Sequence, residues 1–370
     1  MKVQGMGWVI FSLIVLDTII NILDRGTLNY KWQDGIDKTM GMVLQQAITS
    51  DLHIVNGEMT PKERQQKSKE GLSYLKNSLG EITLKEFIDS DLNIFLGNTK
   101  GEKFGTTGVL IKMLDSKEGL TIQVHPDKEY ASKMFNSELG KTESWNKLDG
   151  REINGEKSFK YLGLKEGATP EILGDLFKKQ DINGMLDCLH RFEVQPGDAF
   201  IIYGGVPHAI GSGCFLMEVQ EPTDYTMRVE KITPGGLAIS DDLIHQGVWE
   251  ENMMKCFHFD SCSFEEAMKR WKITPQIMQS SNSFTLKTIF NRKHSDCFGL
   301  NELDLNGEFI LKDNGTFYEG VIYYGGSTIT CGGEEYDFFQ GDERFFSASV
   351  RTITWRYIKP SKILLCYPPV

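Results

Sequence analysis

From Gly108 onward the chain is built of short apolar runs cut by glycine and polar turns. Gly108–Leu114, Leu120–His125 and Phe159–Leu164 have strand length and strand punctuation. Between Thr169 and Leu189 the spacing changes to that of a helix, and Thr169-Pro170-Glu171 reads as its start. Strands return at Asp198–Tyr203 and Phe215–Gln220, separated by Gly-rich turns. The last hundred residues alternate strand and Gly turn: Glu319–Tyr324, Ser327–Cys331, Thr352–Tyr357 and Ile363–Tyr367. Short strands at regular intervals predict a mainly β protein, a sandwich or barrel of jelly-roll type.

The N-terminal part reads differently. Trp8–Leu16 is strongly apolar, but Asp17, Asn21 and Asp24 interrupt it well short of the roughly 18–20 residues a spanning helix needs. Only Lys2 precedes it, so it lacks the basic start of a signal peptide. It is expected to be a buried helix or strand. Thr60-Pro61 marks the start of a surface helix over 60–77, and Thr83–Ile88 the beginning of another. The expected organisation is a partly helical region over 1–77, a β domain over 78–260 with a helical insertion at about 168–190, and a smaller β domain over 261–370.

With 370 residues the chain can bury two or three cores. A net charge of −11 without a basic stripe speaks against nucleic-acid binding, and it means that any anionic substrate needs a locally basic pocket. The seven cysteines, an odd number with no CxxC pair, suit free thiols in a reducing compartment, and so the cytoplasm.

Three stretches carry candidate chemistry: Gln123-Val-His125-Pro126, Lys141-Thr-Glu143 and Pro207-His208-Ala209. In a strand, side chains two apart share a face, so Gln123 and His125 can aim at one point with Val124 on the other side. Glu143 and His208 complete a mixed nitrogen and oxygen set without thiolate. Such a set suits Zn²⁺, or a similar divalent ion, in a site open to substrate. His53, His190, His245, His258 and His294 have no partner at ligand spacing and read as ordinary polar residues. Pro196-Gly197-Asp198 and Gly204-Gly205 read as the turns that present His208, and Met217 and Met227 as packing residues.

These stretches, taken in order, resemble type I phosphomannose isomerase (mannose-6-phosphate isomerase) in its short bacterial form. The likeness lies in Leu110–Asp115 through Leu120–Ala131, in Gly140–Trp145, and in Phe192–Arg228 with its Pro196-Gly-Asp198, Gly204–Gly211 and Glu218–Arg228 runs. It covers about residues 78–235 well, extends loosely to the C-terminus and is slight over residues 1–75. After Arg228 the family continues with an aromatic and acidic run, whereas this chain reads Val229-Glu230-Lys231-Ile232.

The resemblance implies a catalytic cupin domain with a helical insertion and a second, smaller jelly roll. It also implies one Zn²⁺ per chain held by Gln123, His125, Glu143 and His208, and a small-molecule sugar phosphate as substrate. Asp224, Lys141 and Arg228 fall where the family has its proposed catalytic carboxylate, lysine and arginine. The implied reaction interconverts mannose 6-phosphate and fructose 6-phosphate through an enediolate. Asp224 and Arg228 could instead form a plain surface ion pair. Alternative functions are a cupin isomerase for another sugar phosphate, a non-catalytic metal- or sugar-binding cupin, and an Fe(II) oxygenase using His125, His208 and Glu143.

Overall fold

In a computed structural model the described residues are 88–97, 99, 107–312, 315–331 and 333–369, with four short strands upstream. Those strands are Ile10–Ser12, Met42–Val43, Tyr74–Asn77 and Gly80–Thr83. The rest of 1–87, and with it most of the expected 60–77 helix, lies outside the described residues. The last four residues of that expected helix are strand instead. Tyr74–Asn77 pairs antiparallel with Gly80–Thr83, Asn77 opposite Gly80.

Two antiparallel sheets face each other in the first β unit. The six-stranded one places Ala199–Ile202, Glu143–Gly150, Cys214–Gln220 and Leu110–Asp115 side by side. The five-stranded one runs Met227–Arg228, Gln123–Val124, His208–Ile210, Phe159–Leu164, Leu189–Glu193. Between them lies a core that includes Leu114, Trp145, Leu162, Phe192, Phe200 and Leu216. The helical insertion is two helices, Pro170–Lys179 and Ile182–Asp187. Thr169 caps the first through Ile172 N–H, with Pro170 at its first turn. Leu173, Phe177 and Met185 bury the apolar face of this pair against the outside of the five-stranded sheet.

The C-terminal β unit is wound around two strands longer than expected. Glu319–Tyr324 and Ser327–Cys331 belong to one strand, Tyr318–Cys331, and Thr352–Tyr357 and Ile363–Tyr367 to another, Thr352–Tyr367. Glycine that reads as a turn in the sequence is a bulge in the structure. The register between the two strands slips at Ile322/Tyr324, Tyr324/Gly326 and Gly326/Ser327. Gly325 takes φ +90°, with Pro360 O 2.1 Å from where a Cβ would stand, so the strands bend without ending. The bend lets one sheet enclose Leu303, Phe309, Ile329, Phe338, Trp355 and Ile363. A separate core joins this unit to the first: Ile111, Met217 and Val219 pack with Phe290, Phe317 and Leu364. Met217 and Met227 are both fully buried, as expected of packing residues.

Candidate metal centre

Each ligand-bearing stretch is placed by strand pairing. His208 lies opposite Gln123 in the five-stranded sheet, and Glu143 begins its strand in the facing sheet, opposite Ile202 and Gln220. The site therefore sits where the two sheets come together. His125, Glu143 and His208 are all buried, with their ligand atoms within 4.8 Å of one another.

The two imidazoles are oriented by backbone carbonyls. His125 Nδ1 is 2.8 Å from Tyr225 O, and His208 Nδ1 is 2.9 Å from Val206 O. A carbonyl only accepts, so in each ring the proton is on Nδ1 and Nε2 carries a lone pair. Phe135 stacks on the Tyr225 ring at 4.3 Å, which ties the first of these carbonyls to the helix Lys128–Phe135. Both Nε2 atoms face Glu143: His125 Nε2 is 3.1 Å from Oε2 and His208 Nε2 is 3.3 Å from Oε1. Neither Glu143 oxygen receives a hydrogen bond, and both are fully buried. Lone pairs thus meet lone pairs inside the protein, an arrangement that a bound cation converts from repulsion to attraction. The residues fit a divalent metal.

Electrostatics agree with this reading. Burial, helped by the Lys141 charge, pushes His125 down to about 3, and burial also lowers His208, so both rings stay neutral and available. Burial would raise Glu143, but the Lys141 ammonium 3.6 Å away opposes it, and the carboxylate is held well below its usual range. Gln123 contacts His208 through its amide, Nε2 to Nε2 at 3.2 Å. Lys141 is buried with Nζ 3.0 Å from His125 Nε2 and 3.6 Å from Glu143 Oε2. Burial and the Lys112 charge lower its pKa, against the opposing pull of Glu143, Glu218 and Asp224.

Arg228 is not part of a simple surface pair. Its guanidinium is largely buried and donates to Leu243 O at 2.7 Å. Burial lowers its pKa, and Asp224 opposes that shift; Asp224 likewise acts on Lys112 and Lys141. The three candidate catalytic residues therefore share one electrostatic neighbourhood with the imidazoles and Glu143.

Lys112 is the residue that sequence reading missed. Its Nζ donates to Glu218 Oε1 at 2.9 Å and Gln220 Oε1 at 2.6 Å. Glu218 in turn accepts Trp145 Nε1–H at 3.1 Å, and the indole lies edge-on to His208 at 5.3 Å. The available signal was a lone lysine in the apolar run Leu110-Ile-Lys-Met-Leu114. Its partner is fixed only by the register that sets Lys112 opposite Glu218.

Behind Trp145 sits another buried amine. Lys160 Nζ has no hydrogen-bond partner and lies 4.7 Å from the Trp145 ring and 4.3 Å from the Phe200 ring. Burial pushes it down to about 7 from 10.5; Cys214 and Asp198 oppose the shift, and Lys147 and Lys272 add to it.

The mainly β architecture thus carries a buried His/Glu/His cluster of a kind that can hold a metal ion. Residues 39–147 match the family model of the phosphomannose isomerase type I catalytic domain, so the likeness begins well upstream of residue 78. Mannose-6-phosphate isomerase ManA of Bacillus subtilis is 33% identical over 160 residues, 43% of this chain and 47% of that protein. The chain thus matches about half the length of that curated relative. The crystal structure of the Bacillus subtilis mannose 6-phosphate isomerase superposes with TM-score 0.64 at 22% identity, covering 80% of this chain and 85% of that one. A zinc-bound mannose 6-phosphate isomerase superposes with TM-score 0.61 at 16% identity over 80% of this chain and 88% of the other. The chain therefore resembles type I phosphomannose isomerases both in its motifs and in its fold.

The buried amine gives a test of stability. Above about pH 7 Lys160 is neutral in the fold, while the unfolded chain keeps its proton up to 10.5. The unfolded state then binds the extra proton, so this group makes stability rise from about pH 7 toward 10.5. Lys160→Met should flatten that rise and stabilise the protein by about 1–4 kcal/mol at neutral pH. Urea unfolding of both proteins at pH 7 and pH 9 checks it; an unchanged slope would contradict the assignment.

Proposed function

We propose that this protein is a metal-dependent aldose–ketose isomerase that interconverts mannose 6-phosphate and fructose 6-phosphate. The observation that carries the reading is the buried Glu143 carboxylate, unbonded and faced by two imidazole lone pairs. The similarity to mannose-6-phosphate isomerases supports the choice of substrate. One Zn²⁺ per chain would be held by His125, Glu143 and His208, with Gln123 turning its amide oxygen inward as the fourth protein ligand. The zinc-bound relative supports that choice of metal. When bound, such an ion supplies Lewis-acid stabilisation of negative charge on substrate oxygens.

The chain's own groups account for the remaining chemistry. Isomerisation moves a proton between adjacent carbons through an enediolate, which requires an acid/base group within reach of both. Lys141 Nζ is suited to take and return that proton, because it is buried beside His125 and Glu143 with a lowered pKa. Asp224 is the alternative base, with its charge directed at the same cations. Arg228, held by Leu243 O, offers a fixed cation for an enediolate or phosphate oxygen. Lys112, Lys141 and Arg228 together supply the locally basic pocket that an anionic sugar needs in a chain of net charge −11.

We place the catalytic unit at about 78–275, with the second β unit from Gln276. Phe264–Trp271 packs on the first core, and Lys272–Ile273 pairs with the Ala199–Ile202 strand, which favours this division over one at 260/261. The seven free thiols fit a cytoplasmic setting. Among the described residues no helix is long and apolar enough to cross a membrane.

The direct test is turnover of mannose 6-phosphate, read as fructose 6-phosphate through coupled enzymes. Activity should vanish on chelation and return with zinc; a folded, zinc-loaded protein that turns over no substrate would contradict the reading. Arg228→Ala should lower kcat by roughly 10²–10³-fold and leave the bound zinc in place. Unaltered turnover in that variant would remove Arg228 from the mechanism.

A further inference from the structure

The turn Pro126–Asp127, directly after His125, is where the other two ligand-bearing stretches close. Lys141 N–H donates to Pro126 O at 2.9 Å. A Cβ at Gly140 would stand 2.8 Å from Pro126 O and 2.9 Å from Asp127 C. On the other side, a Cβ at Gly204 would stand 2.5 Å from both N and Cα of Asp127. Gly205, at φ +86°, donates its N–H to His125 O at 2.7 Å. The stretches that carry His125, Glu143 and His208 thus meet backbone to backbone, with no side chain between them.

One side chain closes this contact from outside. His258 comes from a segment fifty residues beyond His208, and its N–H donates to Gly205 O at 2.8 Å. Its ring lies against Gly205, where a Cβ would stand 2.3–2.5 Å from three ring atoms. Its Nε2 is 2.9 Å from Asp127 Oδ2. The other oxygen of Asp127 accepts Tyr130 N–H at 2.7 Å and caps the helix Lys128–Phe135. His258 also borders a cavity of about 270 Å³ that Val206, Pro207, Asp260 and Arg270 line. Asp127 is the side chain to which the ring bonds as it lies on Gly205.

We propose that His258 and Asp127 form a positioning clasp for the metal centre. The pair locks the His125 turn to the Gly204–His208 loop and so sets the separation of the two imidazoles without touching either. The proposal rests on the metal reading above. Neither residue is a catalytic residue. Without the clasp the backbone bonds remain, but the loop must be ordered when the metal binds, and that ordering is subtracted from affinity.

The experiment is zinc affinity by competition with a chromophoric chelator, for the wild type, His258→Ala and His258→Gln, with the visible spectrum of each cobalt-loaded protein alongside. His258→Ala should bind zinc roughly three- to tenfold more weakly, less than the 10–100-fold expected for groups bonded directly to ligands. Its cobalt spectrum should shift, because the ligand separation relaxes. His258→Gln, whose amide N–H reaches Asp127, should restore most of the affinity and the spectrum. Equal affinities in all three proteins would overturn the clasp alone. Weak binding in His258→Ala that His258→Gln does not restore would also overturn it, leaving only a general effect on folding. A folded wild type that binds no zinc would overturn the metal reading, and the clasp with it.

Discussion

Glu143 is buried on the inner side of a six-stranded sheet with no hydrogen bond to either oxygen, and two imidazole nitrogens face it from the opposite sheet. Burying an uncompensated carboxylate costs several kcal/mol even after relaxation. That is a large share of the 5–15 kcal/mol by which a typical domain is stable. A cation placed among these groups would offset that cost, and the surrounding structure suits one. Backbone carbonyls fix which nitrogen of each ring is free, and burial keeps the rings neutral. Lys141 donates toward His125 from the side and lends part of the needed positive charge.

The rigidity of the centre comes from layers behind it. Trp145 lies edge-on to His208 and reaches Glu218, which in turn holds Lys112. On the outer face of the six-stranded sheet, Met217 and Val219 pack against the C-terminal unit. The strand that carries Glu218 is thus fixed on both faces, by the site on one and by the second β unit on the other. Within this layering Glu218 and Asp224 keep Lys112 charged despite burial. Lys141, with less such help, is left with a lowered pKa.

Much of this was legible in the sequence because it depends on local rules. The apolar run Phe159–Leu164 needs no knowledge of distant partners and is a strand as expected, whereas the expected strand Leu120–His125 is strand only at Gln123–Val124. What depended on register was not legible. Lys112 and Glu218 are 106 residues apart and become partners only when their strands pair opposite each other. Gly325 looks like a turn in isolation, but the partner strand makes it a bulge in one continuous element. His258 looked like an ordinary polar histidine, since its partner Asp127 bears no sequence relation to it. Residues 39–77 fall within the family match although their motifs were not recognisable by eye.

The central claim is that Glu143 is balanced by a metal ion. The most direct test is the zinc content of the purified, dialysed protein by elemental analysis, set beside that of Glu143→Ala. This account predicts about one zinc per folded chain in the wild type and almost none in the variant. A wild type free of zinc after exposure to excess metal, or a variant that retains it fully, would contradict it.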